Sequence, residues 1–432
     1  SAPKLACYFT SWAWYRKGAA HFLREDMDAN LYTHVIYAAA GMDSHQLRLI
    51  EWNDETLYED FNGLKKINPM LKSLLTNGSW NLNTQTFTNV VDTDCSHQTF
   101  VRFVIKFLRK YVFDGLDLHE HPGNRESLAS DRQHFTALVQ GLGNTFRQEA
   151  QGSLLLSAAV PAGRVYVDLE VKIAQNLDFI NLVAYDFHGK LTGSNSCLCK
   201  RQAESGAVAE VNMDFAVQWL QKGALVYQLI LGMPIYGQTF PLASSSDSEV
   251  GTPATGPGIP GTFTRDGGVL AYYEVCSWKG ATKLRVQDQK VCYAFHGNQW
   301  VGFDDTESFE TKHLSRLKQK GLGGAIVWTL DWDDFTGSFC NQGWYQRIQT
   351  LELSLSYMSS GPTEEISTPD QPSTPESEFS PREDTFCQGK ADSLYPAPQE
   401  RSSYYTCTGG PLQQNCPASL VLSSSCHCCT WN

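Results

Sequence analysis

Eight apolar, strand-like runs recur along the first 357 residues, and most are followed by a stretch of helical length. Strands that alternate with helices are typical of a parallel sheet covered by helices. Eight such units predict an α/β fold, a (β/α)8 TIM barrel, and a doubly wound open sheet is the alternative. The runs are Leu5–Trp12, His34–Met42, Ser73–Trp80, Phe113–His121, Leu154–Pro161, Phe179–Phe187, Leu229–Tyr236 and Gly324–Asp331.

Three further segments differ in composition from these repeats. Between the seventh and eighth runs, about residues 238–310 leave room for a small α+β insertion in the barrel of residues 1–357. Residues 358–386 are dominated by Pro, Ser, Thr and Glu, so we expect an extended linker without a core. Residues 387–432 predict a small disulfide-rich module made in an oxidising compartment, with a zinc knuckle as the alternative. Of the 13 cysteines, this module holds Cys387, Cys407, Cys416, Cys426, Cys428 and Cys429.

Charge and hydropathy argue against several classes of partner. A formal net charge of -12 disfavours nucleic acid and anionic membranes. Apolar runs such as Val35–Ala40 are too short to span a bilayer. The chain opens at Ser1, which we interpret as a processed, secreted, extracellular form. His119 and His121 share a strand face but have no further His in reach, so we expect no metal. We also expect no cofactor and a monomeric protein.

The fourth run contains the densest group of acidic and His side chains, Asp114-Gly-Leu-Asp-Leu-His-Glu-His-Pro-Gly123. With one residue missing, this segment resembles the motif D-G-x-D-x-D-x-E of glycoside hydrolase family 18, the chitinases. Other segments resemble the same family over nearly the whole chain. They are Cys7–Trp12, Glu51–Asp54, Ser157–Pro161, Ala184–Phe187, Met233–Gly237 and Gly324–Trp328.

The resemblance implies a reaction and the residues that perform it. In the family, the last Glu of the motif protonates the glycosidic oxygen, and the acetamide of the substrate attacks the sugar carbon. The middle Asp orients that acetamide. Carried over residue by residue, the candidate catalytic residues are Glu120, Asp117, Asp114, Tyr185 and Asp186.

The missing residue leaves two alignments open. Anchored from the N-terminal side, His119 replaces the middle Asp and His121 replaces the catalytic Glu. Strand alternation then points Glu120 out of the barrel. Anchored from the C-terminal side, Glu120 is the acid, and a bulge must turn it inward. Both alignments lose the middle Asp, so we expect hydrolysis to be weak or absent.

The resemblance also implies a substrate-binding surface and a disulfide between Cys276 and Cys340. Tyr32 stands where the family has a partner for Cys7, and Gln238 replaces an Arg. The tail from residue 386 resembles a type-2 chitin-binding domain. Aromatic faces suit the C–H face of pyranose rings, and core packing is the alternative for each. The expected substrate-binding residues are Tyr8, Trp12, Trp52, Trp80, Asn81, Tyr236, Glu274, Trp328 and Trp431.

Two functions from different classes therefore remain open. The first is a chitinase-like lectin that binds chitin and N-acetylglucosamine oligosaccharides with weak or absent turnover. The second is an active endochitinase with Glu120 as general acid. A poorly folding product of the deletions is a third alternative.

Overall fold

The computed structural model describes residues 2–43, 46–77, 93–119, 129–161, 173–186, 217–218, 221, 223–287 and 290–359. It also describes the backbone of five short strands beyond residue 393. The chain divides into two compact units, Ser1–Thr363 and Glu364–Asn432. No helix in these described ranges is long and apolar enough to cross a membrane.

A closed parallel barrel forms the first unit, which confirms the predicted fold class. The strands of this unit are β1 (Lys4–Thr10), β2 (His34–Asp43), β3 (Gln46–Arg48), β4 (Lys72–Asn77), β5 (Gly115–Leu118), β6 (Leu155–Pro161), β7 (Phe179–Val183), β8 (Leu229–Pro234), β9 (Tyr236–Pro241), β10 (Val269–Ala271), β11 (Thr282–Val286), β12 (Val291–His296), β13 (Gln299–Phe303) and β14 (Gly324–Trp328). Eight of them pair in the order β1-β14-β8-β7-β6-β5-β4-β2, and β1 also pairs with β2 to close the sheet. Each predicted run overlaps one of these barrel strands.

Strand alternation sorts the apolar side chains into an inner and an outer core. In β1, Ala6 and Tyr8 join the cluster inside the barrel. The intervening Cys7 and Phe9 join the larger cluster that includes the helices. Because successive strand residues face opposite sides, the same alternation fixes the direction of every polar side chain on the barrel strands.

Helices cover the barrel through their apolar faces. The helix Asp94–Lys110 buries Phe100, Val104 and Leu108, which recur every four residues on one face. Its first turn is capped by Thr93, whose hydroxyl accepts a hydrogen bond from the Ser96 backbone N–H at 3.1 Å. The α-helices are α1 (Asp54–Asn62), α2 (Leu64–Ile67), α3 (Asp94–Lys110), α4 (Ala129–Arg147), α5 (Tyr272–Cys276), α6 (Thr306–Ser308), α7 (Ser315–Lys320) and α8 (Gln346–Ser359), with a π-helical turn at Phe309–Leu314.

An antiparallel sheet lies in the stretch where the sequence predicts an insertion. Its strands follow the order β10-β9-β13-β12-β11. The sheet has its own small core, in which Tyr293 stacks on Trp300 with ring centroids 5.4 Å apart. Cys276 and Cys340 form the predicted disulfide, with Cα atoms 5.5 Å apart. Cys7, Cys95 and Cys292 are free thiols.

The second unit contains two antiparallel sheets. The strands Leu394–Pro396, Ser403–Cys407 and Pro411–Asn415 form one, and Leu420–Ser423 pairs with Cys428–Trp431 in the other. The predicted disulfides of this module rest on side chains outside the described residues.

Candidate active site

The candidate site is built around the carboxylate of Asp117, which is fully buried on β5. Its Oδ2 accepts hydrogen bonds from the Tyr8 hydroxyl at 2.8 Å and the Thr76 hydroxyl at 3.0 Å. Its Oδ1 accepts from the Ser157 hydroxyl at 2.6 Å and the Asn181 amide at 2.9 Å. Four strands therefore supply one donor each, and they fix this carboxylate inside the barrel.

His119 lies on the same side of the chain as Asp117. Leu116 and Leu118 both pack in the outer core, so the alternating residues face the barrel interior. The His119 ring contacts Tyr8 edge-on at 5.8 Å and lies 5.6 Å from the Trp328 ring. As far as residue 119, the structure thus follows the N-terminal alignment, in which His119 replaces the middle Asp.

Burial controls the protonation of this imidazole. It lowers the pKa of His119, and the nearby Asp117 carboxylate offsets part of that effect. The Nδ1 atom of His119 is buried and has no hydrogen-bond partner among the residues that the structure describes. At neutral pH the position therefore holds a neutral aromatic ring and no negative charge.

A second carboxylate, Asp186, lies just after β7 with a left-handed backbone at φ 57°. The Tyr236 hydroxyl donates to its Oδ2 at 2.6 Å, and the Gln238 amide donates to its Oδ1 at 2.6 Å. Tyr185 packs edge-on against Tyr236 at 6.2 Å. Gln238, which stands where the family has an Arg, thus holds this carboxylate as a neutral donor.

Aromatic rings connect the two carboxylates. Trp328, at the end of β14, packs against Tyr8 with ring centroids 4.9 Å apart, and it also packs against the cluster of Tyr185 and Tyr236. Trp12 packs against the inner core that contains Tyr8. Burial, with Asp117 as a further cause, raises the pKa of Tyr8 well above its usual value, so this hydroxyl keeps its proton.

Asp114 lies away from this cluster, which corrects its prediction as a reacting residue. It precedes β5 at the amino end of the barrel, whereas Asp186 and Trp328 lie at carboxyl ends. Its carboxylate forms an ion pair with Lys65 at 2.9 Å and accepts from the Ser73 backbone N–H at 2.9 Å. Asp114 therefore joins β5 to β4 and α2.

Gly115, which follows Asp114 in the motif, also has a structural role. A Cβ atom at this position would lie 2.3 Å from the backbone oxygen of Leu155. Only Gly therefore permits the close approach of β5 and β6.

Two further residues, Glu274 and Trp52, were expected to bind the substrate. The Glu274 carboxylate accepts from the backbone N–H groups of Phe263, Thr264 and Ala271 and from the Thr264 hydroxyl, so it holds a loop of the inserted sheet. Trp52 is 89% exposed just before α1. Glu120, His121, Trp80 and Asn81 lie outside the described residues, as does the side chain of Trp431.

Several residues that build the site were not among the expected catalytic or substrate-binding residues. Thr76, Ser157 and Asn181 hold Asp117, and Trp332 packs on Tyr236 at 5.0 Å. Asn181 is the only polar residue of β7, Phe-Ile-Asn-Leu-Val, and that break in an apolar run was the available signal. Among the residues with described side chains, no group of three or more His, Cys, Asp or Glu side chains is arranged to hold a metal ion.

The described part of the site offers groups that a neutral sugar can contact. The ring of Trp328 is partly exposed and offers an apolar face, and the exposed carboxylate of Asp186 offers acceptor oxygens. Acid catalysis needs a protonated group that reaches the leaving oxygen. Among the residues described here, the carboxylates of Asp117 and Asp186 already accept short hydrogen bonds from neutral donors.

Comparison with known proteins agrees with this geometry. The sequence model described as glycosyl hydrolases family 18 matches residues 4–333. Mouse chitotriosidase-1 is 57% identical over 448 aligned residues, which cover 100% of this chain and 96% of that protein. Human chitinase-3-like protein 2 is 42% identical, over 82% of this chain and 93% of that protein.

A solved structure of human YKL-39 is similar in fold. Its TM-score is 0.77 at 39% identity, and the match covers 82% of this chain and 100% of that one. That structure is described as a pseudo-chitinase with retained chitooligosaccharide binding properties. The similar proteins thus include both a named chitotriosidase and a named pseudo-chitinase.

Proposed function

We propose, because this chain belongs to glycosyl hydrolases family 18, that it is a secreted protein that binds chitin and N-acetylglucosamine oligosaccharides with weak or absent hydrolysis. The proposal rests on the combination of a retained aromatic surface and an altered catalytic strand. It includes residues 387–432 as a chitin-binding module joined to the barrel by the linker 358–386.

The observation that carries the proposal is the position of His119. This ring faces the barrel interior two residues after Asp117, where the family motif has a second Asp. A carboxylate there can orient an acetamide and stabilise positive charge on it. A neutral imidazole with a lowered pKa supplies no such charge, so the electrostatic stabilisation of the reaction is lost.

Binding depends on other groups, which remain in place. Trp328 presents a partly exposed ring that packs on the buried Tyr8, and Tyr236 and Gln238 hold the Asp186 carboxylate by hydrogen bonds. Stacking on aromatic faces requires neither a proton donor nor the missing carboxylate. The retained binding in the similar pseudo-chitinase supports the separation of binding from turnover.

The test is calorimetric titration of the full chain with chitotetraose, beside hydrolysis of a fluorogenic chitobioside. We expect saturable binding, no turnover above background, and binding about tenfold weaker in Trp328→Ala, roughly 1.4 kcal/mol. Trp344→Ala, which removes a 44% exposed ring outside the site, is the matched control and should bind like the wild type. Absence of binding by the folded protein would contradict the proposal.

An active endochitinase is the second candidate, supported by the 57% identity to mouse chitotriosidase-1. Under this alternative Glu120 is the general acid, and the chitobioside is hydrolysed at a rate that Glu120→Gln abolishes. Turnover that survives in Glu120→Gln would come from a contaminating enzyme. Hydrolysis by the wild type and by Glu120→Gln, purified in the same way, therefore distinguishes the two candidate functions.

A further inference from the structure

A second pocket opens at the amino end of the barrel, opposite the candidate active site. It has a volume of about 530 Å³ and is lined by the first residues of several strands, among them Lys4 of β1, His34 of β2 and Lys72 of β4. The residues of the active site lie at carboxyl ends, on β7 and β14. The pocket is therefore separate from the proposed sugar site and independent of the proposed function.

Two ammonium groups in this pocket form no ion pair with the described residues. Lys4 lies over the Phe179 ring at 5.9 Å, and neither Lys4 nor Lys72 has a carboxylate within ion-pair distance in the described part of the chain. The Lys4 side chain is partly buried, and this burial lowers its pKa, an effect that Asp178 offsets in part. A cation in such a position gains most from an anion that comes from outside the chain.

The neighbouring imidazole of His34 is affected by the positive charges of the same two lysines. Burial, Lys4 and Lys72 together lower the pKa of His34 to about 4, against a smaller opposite effect of Asp114. Its Nδ1 lies 2.8 Å from the Thr33 hydroxyl, and its ring packs edge-on against Phe179 at 5.4 Å. At neutral pH this His is uncharged and adds an apolar wall to the pocket.

The rest of the lining is largely apolar. Leu5, Leu31, Leu155 and Leu355 contribute aliphatic side chains. The single carboxylate of the lining is Glu352 on α8, which accepts from the Ser356 hydroxyl at 2.8 Å. The pocket therefore combines two lysines with an aliphatic surface, and one carboxylate lies on the side formed by α8.

We propose that this pocket binds an amphipathic monoanion, a molecule with one carboxylate or sulfonate and an aliphatic tail. The anionic group pairs with Lys4 and Lys72, and the tail lies against the leucines. A pocket of this volume is within the range that encloses a small organic ligand. Since the whole chain carries a formal net charge of -12, non-specific attraction does not explain selective binding of an anion here.

The experiment is calorimetric titration of the full chain with decanoate. We expect saturable binding with one site, at least tenfold tighter than decyltrimethylammonium, which has the same tail and the opposite charge. In Lys4→Met/Lys72→Met we expect the affinity for decanoate to fall about tenfold. The control Lys66→Met/Lys318→Met changes the net charge equally at exposed lysines that do not line the pocket, and it should bind like the wild type.

The proposal is overturned by the absence of saturable binding, by equal affinity for the cationic amphiphile, or by an unchanged affinity in the pocket variant. Competition by chitotetraose would also overturn it, because the anion would then occupy the sugar site. The affinity for chitotetraose, measured in the same variants, reports separately on the proposed function.

Discussion

Asp117 illustrates how a single charged residue can be required for folding at the site. Its carboxylate is fully buried and accepts four hydrogen bonds from Tyr8, Thr76, Ser157 and Asn181. Removal of the acceptor leaves four buried donors facing a small cavity. We expect Asp117→Ala to lower the free energy of unfolding by about 3–5 kcal/mol, measured by urea denaturation.

The matched variant for this prediction is Asp117→Asn. The amide keeps the size of the side chain and one acceptor oxygen, so we expect a smaller loss than in the Ala variant. Equal losses in the two variants would mean that volume, and not the set of accepted hydrogen bonds, determines the stability at this position.

His119 leads to the opposite expectation for stability. Within the described part of the chain its buried Nδ1 has no hydrogen-bond partner, and an unsatisfied buried polar atom costs about 1–3 kcal/mol. His119→Phe keeps a ring against Trp328 and removes that atom, so we expect the free energy of unfolding at pH 7 to rise by about 1 kcal/mol. His119→Ala, the control, removes the ring contacts and should be less stable than the wild type.

A binding measurement tests whether the imidazole of His119 also forms a hydrogen bond with the sugar. If the His119 ring acts in sugar binding through its apolar face, the Phe variant should bind chitotetraose within about threefold of the wild type. A large loss of affinity in His119→Phe would instead assign a hydrogen-bonding role to the imidazole.

At the scale of elements, the barrel could be predicted from the sequence, whereas the position of Asp114 in the barrel could not. Strand runs are local patterns, so all eight could be located before the structure was known. The role of Asp114 depends on which end of the barrel it occupies, and a motif does not specify this. The partners of Asp117 lie 40 to 109 residues away in the chain, so no local pattern could reveal them.

The disulfide between Cys276 and Cys340 is the element that the resemblance located most directly. It spans a sequence separation of 64 residues and connects α5 to the segment before α8. A loop of this length stabilises the folded state by about 4 kcal/mol in the chain-entropy view. We expect Cys276→Ser/Cys340→Ser to lower the free energy of unfolding by about 2–5 kcal/mol, measured by urea denaturation.

The control for the disulfide is Cys95→Ser, which replaces an exposed free thiol on α3. It should leave the free energy of unfolding within about 0.5 kcal/mol of the wild type. If the double Ser variant behaves in the same way as this control, the bridge does not contribute to global stability.

At the scale of the whole molecule, the amino end of the barrel should make stability depend on pH. Folding lowers the pKa of His34 from 6.5 to about 4, chiefly through burial and also through Lys4 and Lys72. Between these two values the unfolded chain binds a proton that the folded chain does not, so the free energy of unfolding decreases as pH falls. This residue alone should account for a loss of about 3 kcal/mol between pH 7 and pH 4.

Substitution of His34 separates its contribution to the pH dependence of stability from that of the carboxylates, which titrate in the same range. Burial raises the pKa of Asp178 and of Asp54, and these groups act in the opposite direction. His34→Gln should therefore lose less stability than the wild type between pH 6.5 and pH 4, whereas the exposed His296→Gln should follow the wild type. Parallel curves for His34→Gln and the wild type would show that the imidazole is protonated in the folded protein, and the positive field at this end of the barrel would then be weaker than the two lysines imply.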